Sequence, residues 1–287
     1  MADSTTLKKI KALDPEKDYW EIARLSAFYE FPWDNARALE LALFRTFAVP
    51  TISGILHKTR EFEKRTQKRY DDTDLILSEI LENGIESERA RAALKKMNFI
   101  HGHFNISNND YLYVLSTFVF EPERWINKYG YRKLTENELQ AGFKVWQELG
   151  GLMGIKNIPD TKVELEQFNI AYEHNNFILA DSNCAIALYT ENLFLSWLIP
   201  KQLYGFGRPF LHAVMDEPLL HAVGFTKPNR LIQTMVDAFM SVRKVAVGIF
   251  PKRKKPVLRT RRPRKESYPN GYEVSELGSI SKGKCPF

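Results

Sequence analysis

The chain has 287 residues, 44% of them hydrophobic and 26% charged, which is enough apolar material for a sizeable core in one large domain or two modest ones. Two cysteines, Cys184 and Cys285, argue against a disulfide framework or a cysteine-based zinc site. The polar first seventeen residues, and the lack of an unbroken apolar run of about 18 residues, argue against a signal sequence and a spanning helix.

Helical periodicity dominates and strand-like alternation is scarce, so the expected fold is all-α, a single multi-helix domain over residues 18–250 between a polar segment (1–17) and a basic, proline-containing tail (251–287). Residues 18–29 carry a helical apolar stripe. Asp34 is a good N-cap for a helix over 35–47, with Pro50 closing it. Residues 52–64 continue either to Arg69 as one helix or break near Thr59, and a further helical pattern ends at Asn83-Gly84. Ser87 caps the next helix, whose inward positions include Leu94, Met97, His101 and Phe104. Asn109 or Asp110 caps an aromatic helix over 111–120, which Pro122 ends or restarts. Thr135 and Glu138 form a capping box for a helix through Leu149. Helices are also expected over 163–174, 183–197, 209–215 and 228–250, and the tail holds a turn signal at residues 268–272.

The formal charge of +6 sits in one strip: from Lys252 to Lys265 there are nine cations and no anion, leaving the rest at −3. Such a strip attracts anionic lipid headgroups or an acidic partner. Nucleic acid is disfavoured, because the body is net acidic and has no nucleic-acid motif.

His101 stands out chemically. An imidazole on the same helical face as Leu94 and Met97 either satisfies its nitrogens within the core or takes up a metal. Gly102 beside it leaves room for something bulky. A flat macrocycle such as haem suits that slot, with one nitrogen for iron and the other held by a hydrogen bond. Arg69 and Thr73, four residues apart, share a helical face and can meet a propionate or bound dioxygen. Their alternative reading is an ion-pair cluster of Lys68 and Arg69 with Asp71 and Asp72. His57, His103, His174, His212 and His221 support no metal-ligand spacing.

Several strings carry a family resemblance: residues 29–50, opening Tyr29-Glu30-Phe31-Pro32-Trp33-Asp34; then Lys68-Arg69-Tyr70-Asp71-Asp72-Thr73; Met97-Asn98 with Ile100-His101-Gly102 and Phe104; residues 109–122; and Ser267-Tyr268-Pro269 with Gly271-Tyr272. Across residues 18–278 the chain resembles the fungal branch of the MpaB/rubber-oxygenase (latex-clearing protein) family. The resemblance implies an all-α, globin-like haem b domain that uses dioxygen, typically to cleave a carbon–carbon double bond in an isoprenoid chain. It puts the family's Arg-x-x-x-Thr pattern on Arg69 and Thr73, and its axial haem ligand on His101. Asp72 departs from the pattern, since rubber oxygenases have a lysine there that can occupy the distal iron position. Their catalytic glutamate has no counterpart that can be placed in this chain. The fungal relatives tend to begin with a membrane anchor, which these residues do not display.

The resulting expectation is a haem b-dependent oxygenase of secondary metabolism. Dioxygen is its co-substrate, and a hydrophobic small molecule, isoprenoid or polyketide-derived, is its substrate. The location expected is cytoplasmic or peripheral to a membrane, with the strip from Lys252 to Lys265 as the contact. The alternative is a haem-free helical protein that binds lipid or docks on membranes, with His101 in its core.

Overall fold

A computed structural model describes residues 4–278, and every regular element among them is helical apart from one isolated bridge, Arg264 to Tyr268. Cys285 lies outside the described residues. The order is α1 (Thr5–Ala12), α2 (Tyr19–Leu25), α3 (Pro32–Phe47), α4 (Pro50–Thr59), α5 (Glu61–Lys64), α6 (Thr66–Asn83) and α7 (Glu88–His101). There follow α8 (Asn108–Tyr129), α9 (Glu136–Leu152), α10 (Lys162–Asn176), α11 (Asp181–Ser196), α12 (Tyr204–His212), α13 (Glu217–Ala222) and α14 (Arg230–Ile249).

Prolines open helices here rather than ending them. Pro32 and Pro50 sit in the first turns of α3 and α4, where a missing N–H leaves no intrahelical bond unmade. Helix α3 therefore starts three residues before the expected 35. Asp34 is not its cap but is buried, accepting from Arg243 at 2.7 and 2.9 Å and from Trp125 at 3.3 Å. Arg60, with φ of +55°, breaks the chain after α4, so that α6 runs unbroken through Arg69 and Thr73. Ser87 caps α7, which stops at His101 rather than reaching Phe104. Helix α8 continues through Pro122, and the Thr135–Glu138 capping box forms as expected.

Helix α3 lies along α8, and the pairs α2–α9, α6–α7 and α4–α11 build outward from it. Four apolar clusters result. The largest joins α6, α7, α8 and α9 through Leu75, Met97, Leu115 and Leu149, and a second joins α3, α5 and α11 through Phe47, Phe62 and Ile186. Burying each such side chain contributes about 1.5–3 kcal/mol. Between the helices the buried Arg45 meets three carboxylates, reaching the buried Glu121 at 3.1 Å, Glu173 at 3.0 Å and the exposed Asp216 at 2.8 Å. That cluster ties α3 to α8, α10 and the start of α13.

The basic segment after α14 is not a free tail over its described length. It runs back over α6 and meets that helix's acids one by one. Arg264 donates to Asp71 at 2.9 Å and also to Asp74, Arg259 reaches Asp74 at 2.5 Å, and Ser267 bonds Asp71 at 2.6 Å. Thr260 and the Arg259 amide satisfy Glu82, Tyr268 bonds Asp72, and Tyr272 bonds Glu79 at 2.6 Å. Val274 and Leu277 then enter the largest apolar cluster. The turn at residues 268–272 closes with the Gly271 amide on the Tyr268 carbonyl, and Gly271 has φ of +86°.

Replacing Arg264→Ala strands the buried Asp71 charge. We expect a loss of about 3–5 kcal/mol in urea unfolding, as for other broken buried pairs, with Arg264→Lys recovering only part of it.

Candidate functional site

Two cavities reach into the helical body, of about 240 and about 100 Å³. The larger lies where the two main apolar clusters meet. Its walls come from α3 through α9 and from α11, and are mostly Leu, Ile, Phe and Met side chains. His101, Arg69 and Thr73 all line it. Spacing explains this convergence: on α6, Arg69, Thr73 and Ile76 share the face turned from the C-terminal segment, and on α7, Met97 and His101 follow one another at a helical turn.

Three carboxylates also line this cavity, and each is already engaged. Glu61 pairs with Arg65 at 2.6 Å, and Asp72 with Lys68 at 2.9 Å. Asp110 accepts from Thr51 at 3.0 Å and from Tyr172. Arg69 consequently makes no ion pair among the described residues, so the expected alternative, a Lys68/Arg69 cluster with Asp71 and Asp72, is divided. Lys68 stays with Asp72, Asp71 goes to Arg264, and Arg69 is left facing the lumen. Its guanidinium lies 5.3 Å over the Phe62 ring and donates to the Thr73 hydroxyl. Burial pushes its pKa down from the ordinary value, with Asp72 and Glu61 opposing. Thr73 in turn donates to the Arg69 carbonyl at 3.2 Å. Its proton is thus spent on the helix, and Thr73 holds Arg69 in place rather than offering a donor to the lumen.

His101 Nδ1 is sealed from solvent and has no hydrogen-bond partner. The expected second-nitrogen bond is absent; instead the ring meets Tyr111 edge-on at 5.6 Å. Burial first, and the Arg69 charge second, lower its pKa from 6.5 to about 4. The imidazole is therefore neutral at pH 7, with a lone pair free for a ligand. Gly102 turns outward as the C-cap and opens no slot beside the ring. His103 is exposed and bonds the Phe99 carbonyl at 2.7 Å. Near the end of the described chain Gly278 lines the cavity with φ of +85°, and a Cβ there would stand 2.5 Å from Ile100.

Reasoning from sequence missed the groups that set this geometry. Arg259 and Arg264 were counted as part of a solvent-facing strip, and Arg45 and Glu121 passed as members of apolar helices. A charged residue inside an apolar run, as in Phe44-Arg45-Thr46-Phe47 and Val119-Phe120-Glu121, is the signal that a partner must be found elsewhere in the chain.

The site is thus an apolar pocket in an all-helical body, with one guanidinium free of an ion pair and one imidazole nitrogen unpaired toward it among the described residues. No protein-family model matches the chain. Among curated proteins it is 29% identical over 254 residues to "ER-bound oxygenase mpaB'" of Penicillium brevicompactum, covering 80% of this chain and 58% of that protein. It is 29% identical over 233 residues to the ER-bound oxygenase mpaB of Penicillium roqueforti (72% and 76%), and 34% over 148 residues to that of Penicillium brevicompactum (50% and 38%). The chain thus spans little more than half the length of the first of these. By these alignments the chain is similar to fungal proteins named MpaB.

The His101 shift makes stability depend on pH. An unfolded chain takes up the imidazole proton near pH 6.5 and the folded one only near 4, so stability is full above 6.5 and falls as pH drops toward 4. At about 1.4 kcal/mol per pH unit the loss is roughly 3 kcal/mol at most. Denaturant unfolding between pH 7.5 and 4.5 reads it directly. His101→Gln should flatten the decline, and an unchanged profile in that variant contradicts the assignment.

Proposed function

We propose that the chain is an oxygenase whose larger cavity takes haem b, with His101 as the iron ligand and dioxygen as co-substrate. The reading rests first on one observation: a neutral, sealed imidazole nitrogen with no partner, beside a lumen otherwise walled by apolar side chains. An unpaired buried polar atom costs about 1–3 kcal/mol unless something fills its valence, and a metal does so. Among the described residues no three His, Cys, Asp or Glu side chains gather as a ligand set, so iron here would arrive in a group bringing its own ligands. The relatives named oxygenases support the same direction.

The haem, when bound, supplies the oxidation chemistry. The chain's residues do the rest. His101 offers its lone pair, with Tyr111 limiting the tilt of the ring. Arg69, fixed by Thr73 and free of a carboxylate, offers fixed positive charge to a propionate or to an oxygen atom that gains charge during the reaction. In an apolar cavity that field is worth more than in water and needs no solvent rearrangement. The Leu, Ile and Phe walls exclude water and favour a hydrophobic substrate, isoprenoid or polyketide-derived, with oxidative cleavage of a carbon–carbon double bond as the outcome. In this reading the helices around the cavity serve as a globin-like haem cage.

Expression with a haem precursor tests the cofactor. The purified chain should show a Soret band that His101→Ala abolishes and Arg69→Ala leaves largely in place. The Arg69→Ala protein should consume dioxygen with a polyprenol roughly a hundredfold more slowly, the size seen when an oriented donor is lost. A preparation that stays colourless after haem reconstitution refutes the proposal.

A further inference from the structure

Helix α14 carries two apolar stripes, and only one of them is covered. On the inner side Val236 and Met240 pack with Phe31 and Trp125, and Arg243 beside them reaches Asp34 and stacks 3.8 Å over Trp33. On the outer side stand Leu231, Met235, Phe239, Val242, Val245 and Ile249. Their spacings of four, four, three, three and four residues put them in one row along the helix. Each is between 50% and 70% exposed, and Phe250 continues the row at 69%. Helix α12 packs against α14 and adds Phe206 at 72%. Folded proteins expose apolar residues singly; an unbroken row along a 20-residue helix marks an interaction face.

Charge selects what that face meets. From Leu231 to Lys265 the one acid is Asp237, and Gln233 hydrogen-bonds it at 3.3 Å. Arg230 at the start of the helix, Lys244 along it, and Arg253, Lys254 and Lys255 just beyond its end are all exposed. A second copy docked on the same row would set cations against cations whether the helices ran parallel or antiparallel. An anionic bilayer offers an apolar layer and the opposite charge together.

We propose that α14 docks the chain on an anionic lipid surface, lying in the plane of the interface with its outer row among the acyl chains and Arg253, Lys254 and Lys255 against the headgroups. Contact is by lying on the surface, since no single helix among the described residues is long and apolar enough to cross a membrane. The expected strip from Lys252 to Lys265 thereby divides. Arg259 and Arg264 serve α6, Lys252 closes on the Val247 carbonyl at the end of α14, and Arg253, Lys254 and Lys255 serve the lipid. This docking is independent of what the cavity holds.

Sedimentation of the full chain with vesicles tests the proposal. Phosphatidylcholine vesicles with about a quarter phosphatidylserine should carry the protein down, and pure phosphatidylcholine vesicles should do so much less. Phe239→Glu with Val242→Glu should weaken binding at least tenfold, on the order expected from losing two buried apolar side chains. Lys254→Glu with Lys255→Glu should weaken it at low salt. All four positions are exposed, so thermal unfolding of these variants should match the parent. Four results overturn the proposal: no sedimentation with any vesicle, equal binding to neutral vesicles, an unaffected Phe239/Val242 variant, or a lipid-free dimer that Phe239→Glu dissolves.

Discussion

Helix α6 holds five carboxylates, Asp71, Asp72, Asp74, Glu79 and Glu82; all but Asp74 are buried, and of the five Asp72 alone also lines the cavity. Such a helix can pack only if the charge is answered where it lies, because a carboxylate drawn from water without a partner costs several kcal/mol. The C-terminal segment answers it with Arg259, Arg264, Thr260, Ser267, Tyr268 and Tyr272. The opposite face of α6 is then free to be different. Arg69 has no carboxylate of its own because the acids around it are spoken for, and so its charge projects into the lumen beside His101. The site's electrostatics are set by contacts on the far side of the helix.

The Arg45 cluster follows a related logic at another junction. One guanidinium faces Glu121, Glu173 and Asp216 from three different elements, and Tyr113 adds a hydrogen bond to Glu173 at 3.1 Å. Burial raises the Glu173 pKa while Arg45 opposes it, and burial also raises that of Tyr113. In both places directional polar contacts specify how helices meet where apolar packing alone would tolerate several arrangements. His212 belongs to the same pattern: it hydrogen-bonds Glu191 at 2.7 Å and the Thr226 carbonyl at 2.8 Å, joining α11, α12 and the loop after α13.

Local spacing made much of this legible in advance. The four-residue step from Arg69 to Thr73, and the steps from Leu94 through Met97 to His101, suffice to bring the three side chains to inward faces of α6 and α7. The all-helical character and the Thr135 capping box are equally local. What spacing does not carry is pairing across the chain. Whether Lys68 or Arg69 takes Asp72, and whether Asp71 needs either, depends on Arg264, nearly two hundred residues later. Asp34, Pro50 and Gly102 misled for a shared reason: each residue type suits more than one position at or near a helix end, and tertiary contacts choose among them.

The same long reach bears on synthesis. A nascent chain emerges from its N-terminus, so α6 and its acids leave the ribosome long before residue 259 is made. Until then those carboxylates can be solvated but not buried, and the face of α6 that they occupy must stay wet. Completion of the body is therefore coupled to translation of its last described residues, and the wall formed by Ile100 and Gly278 is among the final pieces to close.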